Sequence, residues 1–433
     1  MVDLAEFRKQ TSSVERSLSD LMGMITELAK PTSPSIRVTV GQSVQKVVDT
    51  VSPGASIAVE PGTYEEVLRL WKPVTIFADT TLPPGRASVE SAPVTFRSSA
   101  TQVIHLVGSD MHVSGIRATS PNIDSMLWNI TGERYWLDKC VALGDPTRGQ
   151  WRGFVANGRV GMISQCFADE CWYPKRDAQG FLAYDGTKHL TVIDSYFGGG
   201  AESAMIGGGD PVAYDRVPED LEFINCHFGK NPKWYELGAQ VKNAFEVKNV
   251  RGLRLRNCIG EYAGISQGQS GCPLVLTVRN QYGSAPYSTI EDVLIEECLF
   301  RFGGAGINVL GSDNNHLSNV MCNVTLRNVM FQGLNPQALT KGSGRCVQIE
   351  RAPESFTLDG VTFQGSNLTH GLYVIGSGKT PPKKLVIKNV WFPPVTYPVF
   401  VDADGTGWPA LQKYAPDAVL QPDGVGAQGY PTL

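Results

Sequence analysis

Acidic and aromatic side chains crowd together in three long segments of this chain. FADECWYPKRD carries Asp169, Glu170, Trp172 and Tyr173. GGGAESAMIGGGDPVAYDRVPED carries Glu202, Asp210, Tyr214 and Asp215, and NPKWYELG carries Trp234, Tyr235 and Glu236. Paired carboxylates can break a glycosidic bond: one protonates the leaving oxygen, the other acts as base or nucleophile, and their separation sets the stereochemical outcome. Elimination needs instead a base alpha to a uronate and a cation that steadies the enolate-like intermediate. Aromatic faces beside carboxylates suit sugar rings. Glu246, Asp185 and Glu202 are the candidates for acid–base work; Trp172, Trp234, Tyr235 and Glu350 are the candidates for glycan contact. Each has a bland alternative. A surface carboxylate is usually only solvated, and a loop aromatic can pack against a neighbouring subunit. The six His are scattered without HxH or HExxH spacing, and the nine Cys contain no CxxC pair, so neither a metal site nor a disulfide framework is expected. The glycine runs lack a following GK[ST] and read as tight turns rather than a phosphate loop. No cofactor is implied.

The elements that hold these residues come from an internal repeat. A pattern of apolar, x, apolar, x, Asn-like, small apolar, x, Phe recurs as LTVIDSYF, LEFINCHF, VLIEECLF, VTLRNVMF, FTLDGVTF and LVIKNVWF, with weaker copies MHVSGIRA, YWLDKCVA, VGMISQCF and LRLRNCIG. The fifth positions are Gly115, Lys139, Gln165, Asp194, Asn225, Asn257, Glu297, Asn328, Gly360 and Asn389, spaced by 24, 26, 29, 31, 32, 40, 31, 32 and 29 residues. A unit of that length is a solenoid coil rather than a domain. Alternation within it has period two, hence strand. Apolar parity flips across the fifth position, so that residue sits at a bend between two strands that share one core. The column after the bend holds Cys140, Cys166, Cys226, Cys258 and Cys298, read as small buried hydrophobes; Phe197, Phe228, Phe300, Phe331, Phe363 and Phe392 form a second inner column. A third strand precedes each bend, for example FLAYDG, AFEVKN, CVQIERA and GLYVIGS. On these strands parity turns Phe245 and Val247 inward and Glu246, Gln348 and Glu350 outward, with Asp185 near the same edge.

The predicted fold is therefore all-β: a right-handed parallel β-helix of about ten coils, three strands each, over residues 34–405. Ser43–Asp49 is read as a helical cap on its open end. Residues 406–433 lose the repeat, are rich in Pro and Gly, and are expected to form an irregular cap or tail. The N-terminal segment 1–31 is different: Leu4, Phe7, Thr11, Val14, Leu18, Leu21, Ile25 and Leu28 follow a 3-4-3-4 spacing ended by Pro31. That predicts an oligomerising helix with a wide seam, and a homotrimer; the alternative is one amphipathic helix lying on its own β-helix. The formal charge of −4 offers no basic footprint for nucleic acid. No apolar run is long enough to span a membrane, and MVDLAEFRKQ lacks the apolar core of a signal peptide.

The strand–bend–strand motif with Asn at the bend resembles the pectin-lyase-like superfamily of right-handed β-helices. The opening GQSVQKVVDTVSPGASIAVEPGTYEEVLRLWKPVTIFAD is similar to the first coil of that superfamily. The resemblance covers about 85% of the chain and is specific for fold more than for activity. A heptad stalk ahead of a long β-helix also resembles the tailspikes of tailed bacteriophages. That resemblance implies a virion tail protein assembled in the host cytoplasm, held to other tail proteins by its N-terminal segment, that binds and in some members cleaves a bacterial surface polysaccharide by hydrolysis or elimination. Two other readings stand beside it: a non-catalytic receptor-binding fibre or virion decoration protein, and a cellular β-helix polysaccharide lyase or esterase.

Overall fold

A computed structural model describes residues 36–421, apart from 90, 212, 376–380 and 403. The heptad positions Leu4, Phe7, Val14, Leu18, Leu21, Ile25 and Leu28, and the tail from 422 onward, lie outside the described residues. The fold is a parallel β-helix built from a 23-stranded and a 13-stranded sheet. Among the named strands, every pairing is parallel except that of Tyr397–Val401 with Gly405–Thr406. From Met126 to Glu296 each strand pairs with the strand three places further along, as Met126–Ile130 does with Arg152–Ala156, Glu133–Asp138 with Arg159–Ser164, and Val141–Leu143 with Phe167–Cys171.

The bends are made by single residues in the left-handed region. All ten repeat positions have positive φ, from 50° at Lys139 to 70° at Gly115. Left-handed backbone costs an L-residue about 1–2 kcal/mol, least for Asn, Asp and Gly, which explains the Asn-like preference there. Where Asn and Asp stack, their side chains join: Asn257 donates to Asn225 at 2.6 Å and Asn225 to Asp194 at 3.1 Å. A second left-handed column lies five residues earlier, at Asp110, Arg134, Val160, His189, Asp220, Gly252, Asp292 and Asn323. It has no side-chain signature strong enough to read in advance.

Inside, the columns are as the repeat predicts. Val113, Leu137, Ile163, Val192, Phe223, Leu255, Ile295, Leu326, Leu358 and Ile387 are all fully buried. The nine cysteines are free and eight are buried; Cys140, Cys166 and Cys226 spend their weak S–H on backbone carbonyls. Phe331 stacks on Phe300 at 5.4 Å and on Phe363 at 4.8 Å, and Phe363 on Phe392 at 5.3 Å. The column is broken at Gly260, where an added Cβ would meet Phe300 Cδ1 at 2.5 Å: the neighbouring ring already fills that space.

Both ends of the described solenoid are covered. At the first coil the helix Val44–Thr50 buries Val44 and Val48, and the Ser43 hydroxyl caps it by accepting from the Lys46 amide. Glu66 ties this cap to the coil, accepting from the Ser43 hydroxyl and the Val44 amide. At the last coil, the segment expected to be irregular contains a helix, Trp408–Tyr414, followed by a strand, Val419–Gln421, that pairs with Lys384–Lys388. Pro409 sits in the first turn, where its missing N–H costs nothing, and Ala410 and Leu411 are buried against the core. Among the described residues no helix is long and apolar enough to cross a membrane.

Candidate functional site

The outer face of the 13-stranded sheet carries two rows of side chains. One row places Arg152, Gln179, Glu202 and Asn243 in register. The other places Met205, Glu246, Val275, Asn308, Gln348, Tyr373 and Phe400 in register. Phe245 and Val247 point to the core, so the parity that turns Glu246 outward is right. Outward, however, does not mean wet. Glu246 is 3% exposed and Glu202 is 0% exposed, because neighbouring coils lie only about 4.8 Å apart and each side chain is covered by those above and below it.

Glu202 and Glu246 lie on neighbouring strands within one buried charge cluster. The Lys242 ammonium lies 2.8 Å from Glu202 and 2.7 Å from Asp177, Gln179 donates to Glu202 at 2.7 Å, and Asn243 donates to Glu246 at 2.6 Å. Lys248 lies 3.6 Å from the other oxygen of Glu246. The two carboxyls are driven apart. Burial raises both, but at Glu202 the charges of Lys242 and Lys248 and the bonds from Lys242 and Gln179 outweigh it, and the group stays ionised. At Glu246 burial and the charge of Glu202 win over Lys248 and Lys242, and its carboxyl rises above the usual range. Burial pulls Lys242 down, yet Glu202, Glu246 and Asp177 hold its ammonium above its usual range. Beside them Lys230 is closed in and donates to the carbonyls of Gly199, Gly200 and Ala201 at 2.7, 2.8 and 3.2 Å; burial brings its amine down to about 7. Two carboxyls in one cluster, one charged and one inclined to hold its proton, form an acid–base arrangement.

Asp185 stands apart from this pair. It follows the strand Gln179–Ala183 at its far end, roughly 20 Å along the chain from Gln179 at strand rise. There it is clamped by Arg216 through bonds of 2.7 and 2.6 Å. It lines an open cleft of about 520 Å³ together with Glu133, Asn157 and Arg159. Glu350 is partly exposed on the strand Arg345–Glu350, near the other end of the solenoid.

The aromatic candidates are placed differently from their expectation. Trp172 and Trp234 are buried together with Val241 in a small core of their own, so their faces are not open to a sugar. Burying two indoles strands two N–H donors. Both are taken by one carboxylate, Glu170, at 3.1 and 2.8 Å. Tyr235 packs on the edge of this cluster and donates its hydroxyl to the Ala263 carbonyl at 3.0 Å. The loops thus fold on their own aromatic residues. The same loop layer adds a contact that no motif announced: the guanidinium groups of Arg152 and Arg176 both lie over the Trp151 ring, at 4.4 and 4.0 Å. Among the described residues no cluster of three or more His, Cys, Asp or Glu could hold a metal ion.

In overall structure the chain is similar to an alginate lyase from Paenibacillus sp. str. FPU-7 (TM-score 0.47, 12% identity, covering 78% of this chain and 98% of that one). It is also similar to ORF18 of Geobacillus virus E2 (0.46, 13%, 91% and 64%) and to the tailspike protein gp49 of Acinetobacter baumannii bacteriophage Fri1, a capsular polysaccharide depolymerase (0.42, 12%, 93% and 62%). The likeness is one of fold. No protein-family model and no curated protein matches the chain.

Proposed function

We propose that this protein is a tailspike-like polysaccharide-binding protein of a phage virion, and that it cleaves its glycan at the Glu202–Glu246 pair. The observation that carries the reading is that pair: two carboxyls on neighbouring strands of one outer sheet face, in one buried charge cluster with Lys242 and Lys248, displaced in opposite directions. Glu246 is the proton donor and Glu202 the ionised partner. The coil is read as right-handed and three-stranded, and the chain as a homotrimer held by residues 1–31, which also attach it to other tail proteins after assembly in the host cytoplasm. Both carboxyls are closed in the free chain, so glycan access needs the Asp177–Lys242 tie to open and lift the loop Trp172–Asp177.

The same burial favours the second reading, a receptor-binding fibre without catalysis, in which Glu202, Lys242 and Asp177 only pin that loop. One experiment separates the two. Pure protein is incubated with envelope polysaccharide from candidate hosts, and new reducing ends and unsaturated uronates are assayed. The expected result is product from the host glycan and none from Glu246→Gln. Glu202→Gln leaves Lys242 with one carboxylate fewer and should cost about 3 kcal/mol. A glycan that binds but yields no product removes catalysis from the reading. A chain that retains no polysaccharide removes the reading altogether.

A further inference from the structure

Towards the last coils the two outer rows change character. Arg345, His370 and Tyr397 stand in register on successive strands, beside Gln348, Tyr373 and Phe400. The rings stack from strand to strand: His370 on Tyr397 at 5.0 Å and 25°, Tyr373 on Phe400 at 5.2 Å and 14°. His370 also meets Tyr373 and Phe400 edge-on, at 5.1 and 5.7 Å. These rings are not core. The inward side of the same strands is taken by Val347, Leu372, Val374, Val399 and Val401, all buried, whereas Tyr397 is 41% exposed and His370, Tyr373 and Phe400 are partly exposed.

The cation in this group sits on an aromatic face. The Arg345 guanidinium carbon sits 3.7 Å from the centroid of the Tyr373 ring. One Nη donates to the Gln348 side-chain carbonyl, Gln348 donates onward to Asn308 at 3.1 Å, and Arg345 Nε is buried without an acceptor. Among the described residues no carboxylate pairs with Arg345. Its charge is nevertheless felt: burial, and then Arg345, hold His370 below the usual imidazole range. A guanidinium fixed over an aromatic face, with planar amides beside it, is suited to a carboxylate carried on a ring.

We propose that Arg345, Tyr373, His370, Tyr397 and Phe400 form a platform for an acidic sugar unit of an extended polysaccharide. The sugar faces lie on the exposed rings and the carboxylate answers Arg345. This rests on the polysaccharide reading above and narrows it to glycans that carry carboxylates.

The test is calorimetric titration of the full chain with a hexuronate tetrasaccharide and with a neutral hexose tetrasaccharide. The wild type should bind the acidic one about tenfold more tightly. Arg345→Gln should abolish that preference, and Phe400→Ala should weaken the binding of both, each with the far-ultraviolet spectrum of the wild type. Equal affinities in the wild type, or a preference that survives Arg345→Gln, overturns the proposal. A change of oligomeric mass in Phe400→Ala also overturns it, since the rings would then be a contact between copies. Failure of both tetrasaccharides while host envelope polysaccharide is still retained overturns this platform alone. Loss of that retention in the wild type overturns the functional reading with it.

Discussion

Asp169 shows how the loop layer controls single residues. Burial holds its carboxyl up at about 6, although it accepts from the Glu170 amide at 2.8 Å, and the charge of Glu170 pushes the same way. A carboxyl raised in the folded state contributes its full stability below its unfolded value near 4 and loses it as pH rises through about 6. Asp169→Asn should therefore match the wild type at pH 4 and exceed it at pH 8 by on the order of 2 kcal/mol in urea unfolding. A difference that stays constant over that range would show that Asp169 titrates as an ordinary carboxyl. At this scale the sequence was legible for direction and illegible for exposure. Strand parity turns Glu246 outward correctly, but nothing in the residues near Glu246 announces that Lys242, Asn243 and Lys248 would close over it. Glu170, which holds both tryptophans of its loop cluster, looked like one more surface acid.

At the scale of the element, the bends are the informative unit. Each needs one left-handed residue, and a column of Asn relieves the strain while its side chains bond along the solenoid. Asn257→Ala should lose both the ladder bond and the left-handed preference, costing about 2 kcal/mol. Asn257→Gly keeps the backbone freedom and should cost about 1 kcal/mol less, even after its looser unfolded chain is counted. Equal losses in chemical denaturation would mean that backbone strain plays no part. One long-range element had no repeat to reveal it. The segment after the strand Val74–Ala78 runs back over the bend column: Ala87 donates its amide to the Gln165 carbonyl at 2.7 Å, and Arg86 donates to the carbonyls of Asp194 and Asn225 at 3.0 Å each. Its partners lie up to 139 residues away, beyond the reach of any local pattern.

For the whole molecule, the described solenoid carries a short helix at each end. Association should depend on the heptad segment. Light scattering of the full chain should give three times 47.0 kDa, and deletion of residues 1–35 should give a monomer with the same far-ultraviolet spectrum. A monomeric full chain would remove the coiled-coil expectation. What the sequence by itself determined is the repeat: the parallel strands, the ten bend positions, the buried Cys column and the Phe stack. Each of these is set by neighbours within one coil, and period and parity are local quantities. What only the tertiary structure decided is which outward groups meet. Glu202 is paired with Lys242 and Glu246 feels the charge of both, Asp185 is separated from them, the tryptophans are folded inward, and Arg345 is set on a ring from the next coil. Those contacts link residues on successive coils and on loops of unequal length, and chain spacing does not encode the path of a loop.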